Sequence, residues 1–89
     1  MRFLLSWMPA ATNDLKRLPG KIAKRIVAKM DWYVAQESPL HFAKKLTDPT
    51  LGTYRFRIGD YRVLCDVHHE TISVLEVLAV RHRMNAYRN

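Results

Sequence analysis

The spacing of apolar residues changes near the middle of the chain, from a helical period to a strand period. Before residue 50 apolar residues recur every three or four positions, and from Leu51 onward they alternate with polar residues. The first half of the chain is therefore predicted to be mostly helical and the second half mostly β-structure.

Two helices are predicted in the first half. After a short apolar strand at residues 2–8, the polar run Thr12–Asp14 offers capping side chains for a helix over residues 10–18. A Pro-Gly pair then interrupts the chain, and a longer helix over residues 20–37 follows. Two antiparallel helices joined by so short a turn form a helical hairpin.

The longer helix has one apolar stripe and a basic remainder. The apolar residues at helical spacing are Ile22, Ile26, Val27, Met30, Tyr33 and Val34. The basic residues that lie away from this stripe are Lys21, Lys24, Arg25 and Lys29. They form either a solvated helix face or a surface that contacts a nucleic-acid backbone, and the pattern favours neither.

Three β-type runs fill the second half and cover residues 54–58, 61–67 and 72–80. Gly59-Asp60 and His69-Glu70 are the predicted turns between them, so the runs form an antiparallel meander. The predicted fold class is α+β, with an N-terminal strand and a helical hairpin packed on a twisted antiparallel sheet. A single domain over residues 1–89 is expected.

The first predicted hairpin determines which side chains share a face. If its loop is only Gly59-Asp60, Arg57 lies directly opposite Arg62, with Arg55 two residues along on the same face. Like charges directly opposite each other destabilise a ladder. Three guanidinium groups on one face therefore indicate anion binding, because arginine matches the geometry of phosphate. The alternative is that they point into solvent or pair with Asp66.

Composition adds a partner class to this picture. Fifteen Lys and Arg against eight Asp and Glu give a net charge of +7, which favours a polyanionic partner such as a nucleic acid. The single cysteine, Cys65, excludes an internal disulfide, and no apolar run is long enough for a signal peptide or a membrane span. The protein is expected to be cytoplasmic, without a membrane or small-molecule partner.

The C-terminal tail, Arg81–Asn89, combines side chains suited to RNA and contains no acid. Arginine binds phosphate, a tyrosine such as Tyr87 stacks on bases, and a histidine such as His82 transfers protons near neutral pH. The alternative is a frayed basic terminus. The sequence shows no Gly-rich phosphate loop and no convincing metal-ligand cluster, so neither a cofactor nor a metal is expected.

The central hairpin carries the most specific motif. Residues 54–62, Tyr-Arg-Phe-Arg-Ile-Gly-Asp-Tyr-Arg, resemble a block typical of the RelE/ParE superfamily of type II toxins. Further matches follow in the family's order along nearly the whole chain: Leu15–Pro19, Lys44–Leu46, and His82-Arg83 with Tyr87 downstream.

This resemblance implies a RelE-like fold and a toxin that a cognate antitoxin neutralises by wrapping its surface. For the RelE branch it also implies an endoribonuclease that cleaves mRNA in the decoding site of the ribosome without a metal. The ribose 2′-OH attacks the adjacent phosphate, and the products are a cyclic phosphate and a 5′-OH.

The same resemblance implies the catalytic roles. By position, Arg62 resembles the residue that holds the scissile phosphate, Arg83 resembles its partner from the tail, and Tyr87 resembles the tyrosine that orients the substrate base. Arg57 completes the set at a position that is a lysine in the best-known branch. Because an arginine keeps its proton, His82 is the candidate proton carrier, and no glutamate is evident as a general base.

The remaining basic residues are RNA-binding candidates, and they are Arg55, Arg81, Arg88, Lys44 and Lys45. Two other functions stay open. One is a ParE-like inhibitor of DNA gyrase that shares the fold but typically lacks the basic catalytic set. The other is an inactive, RNA-binding relative that acts as a corepressor with its antitoxin.

Overall fold

A computed structural model describes residues 3–86 of the chain. Within that range, two α-helices pack on one face of a five-stranded sheet, which confirms the predicted α+β class. The helices are α1 (Pro9–Lys16) and α2 (Gly20–Ala35). The strands are β1 (Phe3–Trp7), β2 (Lys44–Lys45), β3 (Tyr54–Ile58), β4 (Tyr61–His69) and β5 (Ser73–His82).

The first helix begins earlier than predicted and is not capped as predicted. Pro9 occupies the first turn, where its fixed φ and missing N–H cost nothing. The capping role expected of Thr12–Asp14 is wrong, because these residues lie inside α1 and the N-cap residue Met8 has no side-chain cap bond. Instead, the carboxylate of Asp14 accepts a hydrogen bond from the backbone nitrogen of Val80 at 2.9 Å.

The sheet has the strand order β1-β5-β4-β3-β2. Strands β3, β4 and β5 form the predicted antiparallel meander, and the short β2 pairs antiparallel with the outer edge of β3. Strand β1 runs parallel to β5, with Phe3 opposite Ser73 and Trp7 opposite Val77. The first and last strands are therefore neighbours, and the sheet is mixed.

The register of the β3–β4 hairpin is the predicted one. Arg57 lies opposite Arg62, and Ile58 lies opposite Tyr61, across the two-residue loop Gly59-Asp60. Gly59 has a φ of +58°, while Asp60 has a negative φ, as a type II′ turn requires. This turn fixes which strand positions face the helices.

The core lies between the helices and one face of the sheet. Its buried residues from the helices are Ala11, Ile26, Met30 and Tyr33, and those from the meander are Phe56, Ile58, Val63, Cys65, Leu75, Val77 and Val80. Burial raises the pKa of the Tyr33 hydroxyl. Neither helix within residues 3–86 is long and apolar enough to cross a membrane.

Candidate functional site

Three arginines lie side by side across the meander. Arg57 in β3 pairs with Arg62 in β4, and Arg62 in turn pairs with Arg81 in β5. Paired residues point to the same side of a sheet, and neighbouring strands are about 4.8 Å apart. We call these three residues the arginine row. It lies on the far face, the side of the sheet opposite the helices, because the neighbouring positions Ile58 and Val63 belong to the core.

The far face carries further positive charge beside the row. Arg55 lies two residues from Arg57 on the same strand, and β2 brings Lys44 opposite Arg55. Lys45 pairs with Tyr54 and so alternates to the other side, although it is also exposed. Of the predicted RNA-binding residues, Arg55, Arg81 and Lys44 are thus brought together with the catalytic candidates.

The hairpin turn binds an arginine side chain through its own backbone. Nη1 of Arg62 donates hydrogen bonds of 3.0 Å to the carbonyl oxygens of both Gly59 and Tyr61. The carbonyl oxygen between them, that of Asp60, accepts a 2.7 Å hydrogen bond from the backbone nitrogen of Arg83. Three successive carbonyls therefore hold two of the predicted catalytic arginines at one end of the sheet.

Arg83 also interacts with the turn through its side chain. Its Nε atom lies 3.8 Å from Oδ1 of Asp60, and the two side chains are 61% and 70% exposed. An ion pair this open to solvent contributes little to stability. The guanidinium of Arg83 is therefore held near the row but stays accessible to an incoming anion.

One cation from the helices also reaches the turn. The guanidinium of Arg25 lies over Gly59, so close that an added Cβ there would be 3.1 Å from its Nη2 atom. A small cavity of about 110 Å³ lies beneath, lined by Ile22, Arg25, Ile26, Ile58, Asp60 and Tyr61. Lys29 instead lies over the rings of Trp32 and Tyr33, at 4.6 and 5.3 Å from their centroids.

His82 lies on the opposite side of the sheet from the arginine row. It pairs with Tyr61, a residue packed against the core, and the two rings meet edge to face at 5.5 Å. Its Nδ1 atom accepts a 3.3 Å hydrogen bond from the backbone nitrogen of Met84. Alternation along β5 therefore separates His82 from Arg81, and the structure does not bring this predicted proton carrier to the row.

Two carboxylates on the far face, Asp66 and Glu76, lie away from the turn. Asp66 pairs with Glu76 across β4 and β5, four residues beyond Arg62, or roughly 13 Å at the rise of a strand. Asp66 accepts a 2.8 Å hydrogen bond from Oγ1 of Thr53. Glu76 lies 3.1 Å from Nε2 of His68. Among the described residues, Asp60 is the carboxylate that contacts Arg83.

Part of the predicted site lies beyond the described range. Tyr87 and Arg88 fall outside residues 3–86. The chain just before them is anchored, because Ala86 is buried and the backbone nitrogen of Asn85 donates a 2.8 Å bond to the carbonyl of His82. Within the described range, no three His, Cys, Asp or Glu side chains are grouped so as to hold a metal ion.

Sequence reasoning missed Arg25 and Asp60 as members of this site. Arg25 follows the helical period of the α2 cations, and nothing in that period distinguishes it from Lys21 or Lys24. Asp60 is a common turn residue, so the turn alone explains its presence in the sequence and nothing indicates its contact with Arg83. Chemically, arginines paired side by side on one face of a sheet can bind an anion such as phosphate, which arginine binds through paired hydrogen bonds.

The chain is similar to known toxins of type II toxin–antitoxin systems. The model of a family described as the ParE toxin of the type II toxin-antitoxin system parDE matches residues 5–87. Toxin RelG of Mycobacterium tuberculosis is 32% identical over 88 residues, which cover 99% of each chain.

Two solved structures have a similar fold. One is the toxin–antitoxin complex RelBE2 of Mycobacterium tuberculosis, with a TM-score of 0.73, 26% identity and coverage of 93% of this chain and 100% of that chain. The other is the RelB–RelE antitoxin–toxin complex of Methanococcus jannaschii, with a TM-score of 0.63, 25% identity and coverage of 92% and 94%.

Proposed function

We propose that this chain, which belongs to the ParE toxin family of type II toxin–antitoxin systems within the RelE/ParE superfamily, is an mRNA endoribonuclease of the RelE type. The arginine row is the observation that supports this activity. Adjacent like charges are costly in a sheet, and a phosphate bound across them would offset that cost. A toxin that acts only by binding a protein does not require such a row.

In the proposed reaction, the scissile phosphate lies against Arg57 and Arg62, and Arg83 contacts it from the end of β5. The ribose 2′ oxygen bonds to phosphorus and the bond to the 5′ oxygen breaks, which leaves a cyclic phosphate and a 5′-OH. Negative charge builds up on the phosphoryl oxygens in the transition state. Guanidinium groups already held in place stabilise this charge without reorganisation.

The attacking hydroxyl loses a proton and the leaving 5′ oxygen gains one. To carry a proton at this phosphate, His82 would have to leave Tyr61 and cross to the far face. In the proposal Tyr87 orients the base beside the scissile bond. The flanking phosphates of the mRNA contact the remaining basic residues, which are Lys44, Lys45, Arg55, Arg81 and Arg88.

The partner of this toxin is an antitoxin, as in both similar complexes of known structure. We further propose the ribosome, with mRNA in its decoding site, as the place of cleavage. A chain with a net charge of +7 is attracted electrostatically to ribosomal RNA.

A ParE-type inhibitor of DNA gyrase is the second candidate, and the matching family model supports it, since that model describes ParE toxins. The two functions leave different damage in arrested cells. An endoribonuclease leaves cleaved mRNA, whereas gyrase poisoning leaves broken DNA and an SOS response.

Primer-extension mapping of cellular mRNA after toxin induction tests the proposal. We expect cuts within translated regions, in frame with the codons, and none after induction of the Arg62→Ala/Arg83→Ala double variant. That variant should still bind the antitoxin, which shows that it is folded. Broken DNA with intact mRNA would identify the gyrase inhibitor instead, and full toxicity of the double variant would defeat the catalytic assignment.

A further inference from the structure

We infer that Asp60 is a positioning residue, whose carboxylate orients the guanidinium of Arg83 towards the arginine row before RNA binds. This inference rests on the proposed endoribonuclease function and deepens it. It names a residue of the hairpin turn that acts on the scissile phosphate only through Arg83.

Two contacts between Asp60 and Arg83 have separate effects. The backbone bond of 2.7 Å continues the β4–β5 ladder by one residue and docks the main chain of the tail at the turn. The side-chain contact of 3.8 Å acts only on the guanidinium. Because the first contact uses no side-chain atom of Asp60, replacing that side chain leaves the tail docked and removes only the orientation of Arg83.

The charges around Asp60 support an orienting role. Arg62 folds back onto the carbonyls on either side of it, and Arg25 lines the same small cavity from α2. A carboxylate at this place lowers the local positive charge and so weakens phosphate attraction, which a purely electrostatic site would avoid. Its contribution is geometric, because a long arginine side chain loses rotamer freedom when an acid holds it.

The contact is also weak enough to be exchanged. Both side chains are more than half exposed and the atoms are 3.8 Å apart, so the pair is easily displaced. A phosphate forms shorter, paired bonds to a guanidinium than this carboxylate does. Arg83 is thus oriented by Asp60 in the free toxin, and it exchanges this contact for one with the substrate phosphate when RNA binds.

The acids on the far face do not reach Arg83. Asp66 and Glu76 lie roughly 13 Å along the strands from the row and contact Thr53 and His68. The side chain of Asp60 is therefore the one to vary.

A double-mutant cycle of Asp60→Ala and Arg83→Ala tests this inference, with the cleavage rate measured at saturating mRNA-programmed ribosomes. An exposed ion pair of this kind biases a side chain by a factor of about 5 at most, so we expect Asp60→Ala to slow cleavage roughly two- to fivefold. In the Arg83→Ala background, the same change should have no further effect. Asp31→Ala, which removes an exposed aspartate of α2 and changes the net charge equally, should leave the rate unchanged.

A second readout does not depend on cleavage. NMR relaxation of the Arg83 side-chain Nε–H group should show greater motion in Asp60→Ala than in the wild-type toxin, while both proteins unfold at similar temperatures. Asp60→Glu, which keeps the charge, should recover part of the rate.

Several results would overturn the inference. One is an unchanged rate in Asp60→Ala, and another is that the effects of the two substitutions multiply. A change confined to KM would also contradict it. Loss of the acid limb of the pH profile in Asp60→Ala would make Asp60 a proton acceptor instead of a positioning residue. A pH effect has to be judged against the groups around Asp60, namely Arg25, Arg62, Arg83 and Tyr61 with its neighbour His82. Failure of the wild-type toxin to cleave mRNA would instead defeat the proposed function and this inference together.

Discussion

The carboxylate of Asp14 in α1 accepts a 2.9 Å hydrogen bond from the backbone nitrogen of Val80 in β5. Val80 belongs to the core and immediately precedes Arg81, the third member of the arginine row. The bond therefore joins the first helix to the strand that completes the candidate site.

Asp14→Ala should lower the free energy of unfolding by about 1–3 kcal/mol, because it leaves the partly buried nitrogen of Val80 without its acceptor. Urea denaturation measures this difference. Asp14→Asn keeps a carbonyl oxygen and should cost less, and Asn13→Ala, at an exposed neighbouring position, serves as the control. Equal stability of Asp14→Ala and wild type would show that the bond contributes nothing.

Arg57→Thr should stabilise the folded protein and impair its cleavage of mRNA. The substitution removes a like-charge pair with Arg62 and introduces a residue favoured in strands, so we expect a gain of roughly 0.2–1 kcal/mol in the free energy of unfolding. Cleavage of mRNA should fall at the same time. The gain should shrink in 1 M salt, where the Debye length is about 3 Å, and a loss of stability at low salt would contradict the prediction.

Arg81 should contribute to RNA binding through a phosphate contact. The measurement is the affinity for a single-stranded RNA with a 2′-deoxy residue at the cleavage position, followed over a range of salt concentrations. Arg81→Ala should reduce the slope of log K against log salt by about 0.7, the value for one phosphate contact. Lys21→Ala on α2 changes the net charge equally and serves as the control. An identical change of slope in both variants would show that Arg81 makes no specific phosphate contact.

The thiol of Cys65 should be unreactive in the folded protein. Burial, reinforced by the negative charge of Asp66, raises the pKa of this thiol, and the thiolate is the reactive form. Iodoacetamide at pH 8 should modify Cys65 only after unfolding in guanidinium chloride. Since only the unfolded chain ionises its thiol above about pH 8.5, stability should fall as the pH rises through 9. Rapid labelling of the folded toxin would contradict this.

The register of the first hairpin could be predicted because it depends on local information. A two-residue loop that starts with glycine fixes the pairing of Arg57 with Arg62, and strand alternation then assigns every neighbouring side chain to a face. The apolar stripe of α2 was predictable for the same reason, since Ile26, Met30 and Tyr33 follow the helical period and are buried.

The rest of the site depends on long-range pairing. The register of β4 with β5 contains an irregularity between Leu64 and Cys65, and no local pattern fixes its position, so the pairing of Arg62 with Arg81 was not foreseeable. The composition of the tail indicated side chains suited to RNA, but it did not show on which face of the sheet each of them lies. Once β5 is known to extend to His82, alternation assigns that histidine to the face of Tyr61.

Strand β1 pairs with β5, which begins 70 residues further along at Ser73 opposite Phe3. A nascent chain that has not yet reached Ser73 therefore has no partner for its first strand and no third arginine for its row. At a synthesis rate of about 5–20 residues per second, β1 therefore waits roughly 4–14 seconds for its partner strand. Pairing of β1 with β5 and completion of the arginine row both wait for the same strand, so a product that ends before Ser73 lacks both.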